Sequence, residues 1–235
     1  AVPLPVTVIA DLLGVPNKDW RLIKHWSDIL FRPYEKEHYD DIAEKKQQAL
    51  KEFREYLYPI VQEKRKNPAD DIISDLTRAE LHGERLNDEE VVDSSRGLLG
   101  AGNETTTMLI ANIFYCMMFD QPGVYQELRE DISLVPNLIE EVLRFRFPAS
   151  NDRRIVKDTN VFGPLMKKGQ MIIAWAGSAN RDESQFANAE TFDIHRPNNK
   201  QHLTFGAGLH FCLGAPLARM EARIALTTFV KSFAD

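Results

Sequence analysis

The sequence has 235 residues and a formal net charge of −6 at pH 7, and 43% of its residues are hydrophobic. This length allows a sizeable core in one large domain or two small ones. The acidic balance, with no basic stripe among aromatic residues, argues against a nucleic-acid partner. The two cysteines exclude a disulfide scaffold and favour a reducing cytoplasm.

The N-terminal segment AVPLPVTVIADLLGVP is apolar, but it lacks the positive leader of a signal peptide, and Pro3 and Pro5 interrupt it. No window of the sequence predicts a transmembrane helix, so we expect no membrane association. Both ends of the sequence resemble interrupted helices. We therefore expect that further sequence belongs at each end.

Residues 1–147 are predicted to be helical. Apolar residues at helical spacing predict a helix after Pro16 and a long, charged helix over residues 37–65. A kink is expected at Pro59 in this long helix. The segment ADDIISDLTRAELHG is predicted to be a short helix closed by Gly83.

The next predicted helix begins at Asn87, a favourable N-cap followed by three acidic residues, and it continues to about Phe119. Its middle, GAGNETTT, is unusual because a glycine costs about 1 kcal/mol in a helix interior. Two shorter helices are predicted over residues 122–131 and 136–147, with Pro136 at a favourable first position.

After Pro148 the spacing of the apolar residues is no longer helical, and the new pattern predicts a small β region. Short apolar runs separated by turn residues predict two or three strands, followed by a loop over residues 182–205. The last helix is predicted from about Leu213 to Phe233. The sequence thus predicts a mainly α fold with a minor β region in a single domain. Its parts are a helical segment 1–147, a small β region with loops 148–205, and a cysteine loop with its following helix 206–233.

The segment HLTFGAGLHFCLGAPLAR places Cys212 among three glycines and directly before a helix-forming run. Gly206 and Gly208 permit backbone conformations that other residues avoid, and a helix N-terminus favours a thiolate. Such a thiolate is a nucleophile, with His210 as the nearest base, or a metal ligand. A buried, inert cysteine is the third interpretation. Cys116, in the apolar turn FYCMMF, is interpreted as core filler.

If Cys212 binds a metal, the residues around it narrow the choice. No second cysteine lies nearby, which argues against a zinc site and against an iron–sulfur cluster. A lone thiolate suits an iron whose other positions are already filled. This pattern indicates haem with a cysteine as its axial ligand.

At this point the residues match a family. FGAGLHFCLG resembles the haem-ligand loop of the cytochromes P-450, whose pattern FGxGxHxCxG it matches without departure. Three shorter motifs occur in the family's order: AGNET resembles the distal-helix motif, EVLR resembles ExxR, and FDIHRP resembles the segment that supplies a further arginine. The resemblance covers essentially the whole chain. The residue pattern of this sequence resembles that of soluble bacterial and archaeal members, and most closely that of thermophilic archaeal ones.

The resemblance implies roles for residues in each motif. Cys212 would ligate the iron of haem b, and His210 would hydrogen-bond a propionate rather than act as a base. Arg153, or alternatively Arg154, would bind a propionate. The other implied residues are Phe205, Gly206, Gly208, Gly214, Ala101 and Gly102 at the cofactor, Glu104 and Thr105 as an acid–alcohol pair for proton transfer, and Glu141, Arg144 and Arg196 as a buried structural network.

Two of these groups also have simpler interpretations from the residues alone. From these residues alone, a polar kink in a long helix is the favoured interpretation of Glu104 and Thr105. Glu141 and Arg144 are alternatively an ordinary surface pair, worth under about 1 kcal/mol.

The function that the resemblance implies is monooxygenation of a small apolar organic substrate with O₂. Electrons would come from a separate ferredoxin or flavoprotein, since the sequence has no flavin or nicotinamide motif. Family members carry a long part before AVPLPVTVI and a β region after KSFAD, so we expect an incomplete P-450 fold. The alternatives are a haem-binding module without turnover and a fragment that binds no haem.

Overall fold

Helices dominate the computed structural model, which describes residues 1–147 and 150–233. The predicted mainly α fold with a minor β region is confirmed, whereas the single domain stays a prediction. The chain divides into two units, Ala1–Thr107 and Met108–Asp235. The helices are α1 (Pro3–Leu13), α2 (Trp20–Phe31), α3 (Tyr39–Lys66), α4 (Ile72–Arg78), α5 (Asp88–Tyr115), α6 (Val124–Glu130), α7 (Val135–Phe145), α8 (Ala176–Ala179) and α9 (Ala215–Ser232), and the strands are β1 (Glu80–Leu81), β2 (Glu84–Arg85), β3 (Asn151–Arg154) and β4 (Met171–Ala174).

The core of the first unit forms where α2 packs against α1 and α3. Trp26 stacks on Phe53 with the ring centroids 4.7 Å apart, and Leu57 continues the buried stripe of α3. Pro59 lies inside α3, which continues to Lys66. Because Pro59 is on the exposed side of the helix, water can satisfy the carbonyl that loses its backbone partner there.

The predicted helix over ADDIISDLTRAELHG is too long. Helix α4 ends at Arg78, and the residues after it form the two-stranded β1–β2 hairpin. His82 and Gly83 at the hairpin turn have φ angles of 55° and 85°. Positive φ at both central residues is typical of the turn that best matches the twist of two strands. Gly83 therefore shapes the hairpin turn and does not close a helix.

Helix α5 begins as predicted, with a reciprocal cap at Asn87. The Asn87 side chain accepts from the Glu90 N–H over 3.0 Å, and the Glu90 carboxylate accepts from the Asn87 N–H over 2.8 Å. This capping box satisfies two amide groups that the first turn leaves free. After Tyr115 the chain makes one π-helical turn, Cys116–Asp120.

The second unit has a core in which α9 packs against α6 and α7. Buried apolar side chains come from all three helices, from the end of α5, and from Phe192 and Ile194 in the long loop. The predicted β region contains two antiparallel strands, with Asn151 opposite Ala174 and Arg154 opposite Met171. In the described residues, no helix combines the length and the apolar content that crossing a bilayer requires.

Candidate functional site

The loop before α9 is closed by backbone hydrogen bonds. The Cys212 N–H donates to the Phe205 carbonyl over 2.9 Å, and the Phe211 N–H donates to the Gly208 carbonyl over 3.0 Å. Gly206 and Gly208 have φ angles of 74° and 75°, which a residue with a side chain adopts only at a cost. The glycines are therefore needed for the loop to fold back on itself.

The loop presents the Cys212 thiol at the surface of the second unit. Cys212 is free and exposed, and it lies just before Gly214, the N-cap of α9. A side chain on Gly214 would bring its Cβ to 3.9 Å from the Cys212 sulfur. Leu209 and Leu213 on the same loop are also exposed. An exposed thiol among exposed apolar side chains suits a flat apolar group that carries a metal.

The two cysteines differ as the sequence indicates. Cys116 is fully buried in the core cluster of the second unit. Burial raises the pKa of the Cys116 thiol, and its hydrogen bond to Asp120 adds to the rise. The prediction that Cys116 is core filler is confirmed.

His210 is exposed and ends the short Gly208–His210 turn of the loop. No hydrogen bond joins the His210 ring to Cys212 in the part of the chain that the structure describes. The geometry thus gives no support to a cysteine nucleophile with His210 as its base. The exposed ring remains available to an acidic group near the loop.

The β3–β4 hairpin contributes to a cavity beside the glycine loop. The cavity is lined by Asn151 and Ala174, which pair across the strands, together with Trp175, Leu203, Gly206 and Ala207. Arg153 lies on the same face of β3 as Asn151, and Arg154 lies on the opposite face, because side chains alternate along a strand. Of the two candidate arginines, Arg153 is therefore the one on the side of the cavity.

Glu141 and Arg144 on α7 form a buried charge network with Arg196. Arg144 Nε and Nη2 donate to the two carboxylate oxygens of Glu141 over 2.8 and 2.7 Å. Arg196 Nε donates to Glu141 Oε1 over 3.3 Å. All three side chains are almost completely buried, so they do not form the surface pair that the sequence left open.

The same arginines hold the loop between α8 and Arg196. Their other donors bind the backbone carbonyls of Asn180, Ala187, Asn188, Ala189 and Thr191. Glu141 Oε1 also accepts from the Asp193 N–H over 3.0 Å. The guanidinium groups thus supply the hydrogen bonds that strand partners supply elsewhere.

Glu104 and Thr105 of the AGNET motif form hydrogen bonds with different partners in the first unit. Glu104 Oε1 accepts from Lys24 Nζ on α2 over 2.8 Å. Thr105 Oγ1 donates to the Ala101 carbonyl over 2.6 Å, one turn back on α5. Ala101 and Thr105 are exposed on one face of the helix. The two side chains are neighbours in sequence, but no hydrogen bond joins them among the described residues.

Packing against α1 explains why a glycine stands at position 102. A Cβ on this residue would come within 3.0 Å of Ile9 Cγ1 on α1, a distance that forces one of the two helices to move. Gly102 therefore allows α1 and α5 to approach closely. The polar-kink interpretation of AGNET finds no break in the helix, since α5 runs unbroken from Asp88 to Tyr115.

The family model described as "Cytochrome P450" matches residues 7–234, almost the whole chain. This chain belongs to the cytochrome P450 family. Cytochrome P450(MEG) of Priestia megaterium is 53% identical over 99% of this chain and 57% of its own length. Cyclomarin C epoxidase CymV of Salinispora arenicola is 42% identical over 98% of this chain and 58% of its own length.

A crystal structure of CYP109E1 from Bacillus megaterium in complex with corticosterone has the same fold. Its TM-score is 0.86 at 46% identity, over 98% of this chain and 62% of that one. The P450 fold predicted from the sequence is thus confirmed for the part present, and the three relatives named are bacterial. The chain spans about three-fifths of the length of these P450 relatives.

A second buried network in this P450 was missed by the sequence analysis. Arg219 on α9 donates to both oxygens of Glu140 over 2.6 and 2.9 Å, and His202 Nε2 lies 3.1 Å from Glu140 Oε2. Burial alone would raise the pKa of Glu140, but the hydrogen bonds from Arg219 and His202 lower it to about 2. Its only sequence signal is the doubled Glu140-Glu141 on a helix whose other residues are mostly apolar.

Glu221 on α9 is a buried carboxyl group without a partner. It is 4% exposed, and neither of its carboxylate oxygens has a hydrogen-bond partner among the described residues. Burial raises the pKa of Glu221 to about 7. The P450 thus contains a carboxyl group that holds its proton up to neutral pH.

Replacing Arg144 with alanine is expected to destabilise the protein far more than removing an exposed charge. The change leaves Glu141 buried with one partner fewer, at a cost of about 3–5 kcal/mol. Lys51→Ala is the control, because Lys51 pairs with Glu55 at 3.9 Å with both side chains about two-thirds exposed; its cost is about 0.5 kcal/mol or less. Denaturant unfolding measures both, and equal losses would contradict a buried network.

Glu221→Gln is expected to stabilise the protein above pH 7 and to change little near pH 4.5. The unfolded carboxyl ionises near pH 4.5, while the folded one keeps its proton to about pH 7. Wild-type stability therefore falls between these values, by on the order of 3 kcal/mol. Unfolding at pH 5 and pH 8 measures the difference. Exposed Glu44→Gln is the control, and the same Glu221→Gln effect at both pH values would refute the assignment.

Proposed function

We propose that this chain is the haem-thiolate part of a P450 monooxygenase. The observation that carries the proposal is the exposed Cys212 thiol in a closed glycine loop at the N-terminus of α9. An iron ligand needs an accessible sulfur, whereas a structural cysteine such as Cys116 is buried. The alternatives, a haem-binding module without turnover and a fragment without haem, are outcomes of the first test below.

The residues around Cys212 fit haem b. Cys212 would ligate the iron, while Phe205, Gly206, Gly208 and Gly214 would let the flat ring approach the backbone. His210 and Arg153 would bind the propionates, His210 from the loop and Arg153 from the cavity-side face of β3. Haem bound in this way supplies the binding, reduction and cleavage of dioxygen, and a thiolate ligand favours the cleavage.

Glu104 and Thr105 would manage protons on α5. The Thr105 hydroxyl donates its hydrogen bond to the Ala101 carbonyl, so its oxygen is free to accept a hydrogen bond from a water molecule that delivers a proton. Glu104 is paired with Lys24, and its carboxylate can pass a proton on only when this pair loosens. Ala101 would leave space beside the helix for the cofactor, whereas Ile9 on α1 packs against the position of Gly102.

The substrate is proposed to be a small apolar organic molecule. CYP109E1 was solved with corticosterone, a largely apolar ligand, and CymV is named an epoxidase, which is an enzyme that inserts oxygen. Electrons are proposed to come from a separate ferredoxin or flavoprotein. The cytoplasm stays a prediction from the cysteine content.

Cys212→Ser is expected to abolish the strongly red-shifted Soret band that a thiolate ligand gives to the ferrous–CO complex. Serine removes the sulfur and keeps the loop. Cys116→Ala is the control and should retain the band, since Cys116 lies in the core. The absorption spectrum of the purified, haem-loaded protein measures both. A band that survives in Cys212→Ser would exclude Cys212 as the ligand, and a wild-type protein without haem would favour the fragment.

Thr105→Ala is expected to leave the haem spectrum nearly unchanged and to divert electrons from product into free hydrogen peroxide. The change removes the hydroxyl that handles protons but no ligand of the cofactor. Thr105→Ser, which keeps the hydroxyl, is the matched control. The ratio of product formed to electrons consumed is measured with a surrogate electron donor. An unchanged ratio in Thr105→Ala would leave the motif with a packing role only.

A further inference from the structure

Glu140, His202 and Arg219, hereafter the Glu140 cluster, form a charge network separate from that of Glu141. The Glu141 network holds the loop after α8, and this role does not account for the Glu140 cluster. Glu140 is 5% exposed and carries three hydrogen bonds, two from Arg219 and one from His202. A buried carboxylate of this kind is costly unless its partners are fixed. The cluster joins α7 and α9 to His202, which lies in the loop segment before Cys212.

The hydrogen bonds fix the orientation of each member. His202 Nδ1 accepts from the Thr204 N–H over 3.2 Å, so the hydrogen on the ring lies at Nε2 and is donated to Glu140. Arg219 meets Glu140 with two parallel bonds, a geometry that sets the plane of the guanidinium group as well as its distance. The single positive charge of the cluster is therefore held at one place.

That place is next to the Cys212 loop. The Arg219 guanidinium carbon lies 4.6 Å from the centre of the Phe205 ring, and the Phe205 carbonyl accepts the Cys212 N–H. The hydrogen bond to Glu140 raises the pKa of Arg219 against partial burial, and the charges of Glu140 and Cys212 raise it further. Arg219 thus lies against Phe205, the residue that binds the Cys212 amide, and is held from Glu140 by two hydrogen bonds.

We propose that the Glu140 cluster positions Arg219 as a fixed positive charge that acts on the Cys212 sulfur. This inference rests on the proposed function, in which Cys212 ligates haem iron. A nearby cation draws electron density toward itself and makes a thiolate-bound iron easier to reduce, and groups beyond the ligand itself commonly tune a metal in this way. Glu140 offsets part of this charge, so the two residues act with opposite sign.

Arg219 is a positioning residue in this scheme, and Glu140 determines both its place and its effective charge. Arg219 is 34% exposed as a side chain, and the Glu140 oxygens hold its guanidinium group; Glu140→Gln keeps one oxygen that accepts from Arg219 and removes only the negative charge. The Phe205 ring lies against the guanidinium group as a flat, apolar surface. Charge interactions beside an apolar surface, away from water, are stronger than in water.

The test is the reduction potential of the haem-loaded protein, measured together with its ferrous–CO spectrum. Arg219→Gln should shift the potential to more negative values, and Glu140→Gln should shift it to more positive values. The double variant should lie between the two. Arg223→Gln is the control, because Arg223 is exposed one turn further along α9 and, with Glu140 and Arg219, lines a cavity formed by α7 and α9; it should leave the potential nearly unchanged.

Shifts of the same sign in Arg219→Gln and Glu140→Gln would overturn the proposal, because loss of packing does not depend on charge. An effect of Arg223→Gln equal to that of Arg219→Gln would do the same. If Arg219→Gln does not fold, Arg219→Lys decides: it keeps the charge but loses the paired bonds. A potential near the wild-type value supports the charge effect, and one as low as expected for loss of the charge refutes it.

These outcomes are separate from failure of the proposed function. If the wild-type protein or Cys212→Ser shows that Cys212 does not bind the iron, the thiolate band reveals it directly. If Cys212 is the ligand and the potentials do not respond to Arg219 and Glu140, only the inference about the cluster fails.

Discussion

The second unit depends on the ion pairs that the buried Glu141 carboxylate forms with Arg144 and Arg196. These two arginines also bind the carbonyls of the loop after α8. The Glu141 carboxylate and the loop after α8 depend on the same arginines. Without them the carboxylate would be unpaired in the core, which is costly, and the loop carbonyls would have no partners, since no strand among the described residues pairs with the loop. One charge in the core thereby fixes the path of the chain toward the Cys212 loop.

The neighbouring Glu140 adds a second function to the same turn of α7. Adjacent residues on a helix point about 100° apart, so Glu140 faces α9 and His202 while Glu141 faces the two arginines. Thr204 ties the loop to α7 as well, since its hydroxyl donates to the Leu143 carbonyl over 2.6 Å. The segment before Cys212 is thus held from α7 by more than one contact, and the thiol is presented by a rigid frame.

In the first unit, α5 separates the two groups that the AGNET motif brings together in sequence. Glu104 is held by a lysine of α2, and Thr105 is held by its own helix. Gly102 allows α1 to lie close against the same turn. The motif is therefore a crowded helix crossing with a polar edge, and any proton transfer along it begins from side chains that already have partners.

By itself, the sequence determined the long helices, the ten-residue cysteine loop and the family, because helical periodicity, caps and the spacing of glycines are local. It also identified the ExxR motif, since residues three apart share a helix face. Only the tertiary structure decided the ends of short elements, such as the hairpin at Gly83, and the partners of charged groups. The pairs Glu140–His202, Glu140–Arg219 and Lys24–Glu104 join residues 62, 79 and 80 positions apart. Such contacts arise from which helices pack together, and periodicity shows the buried face of a helix but not its partner.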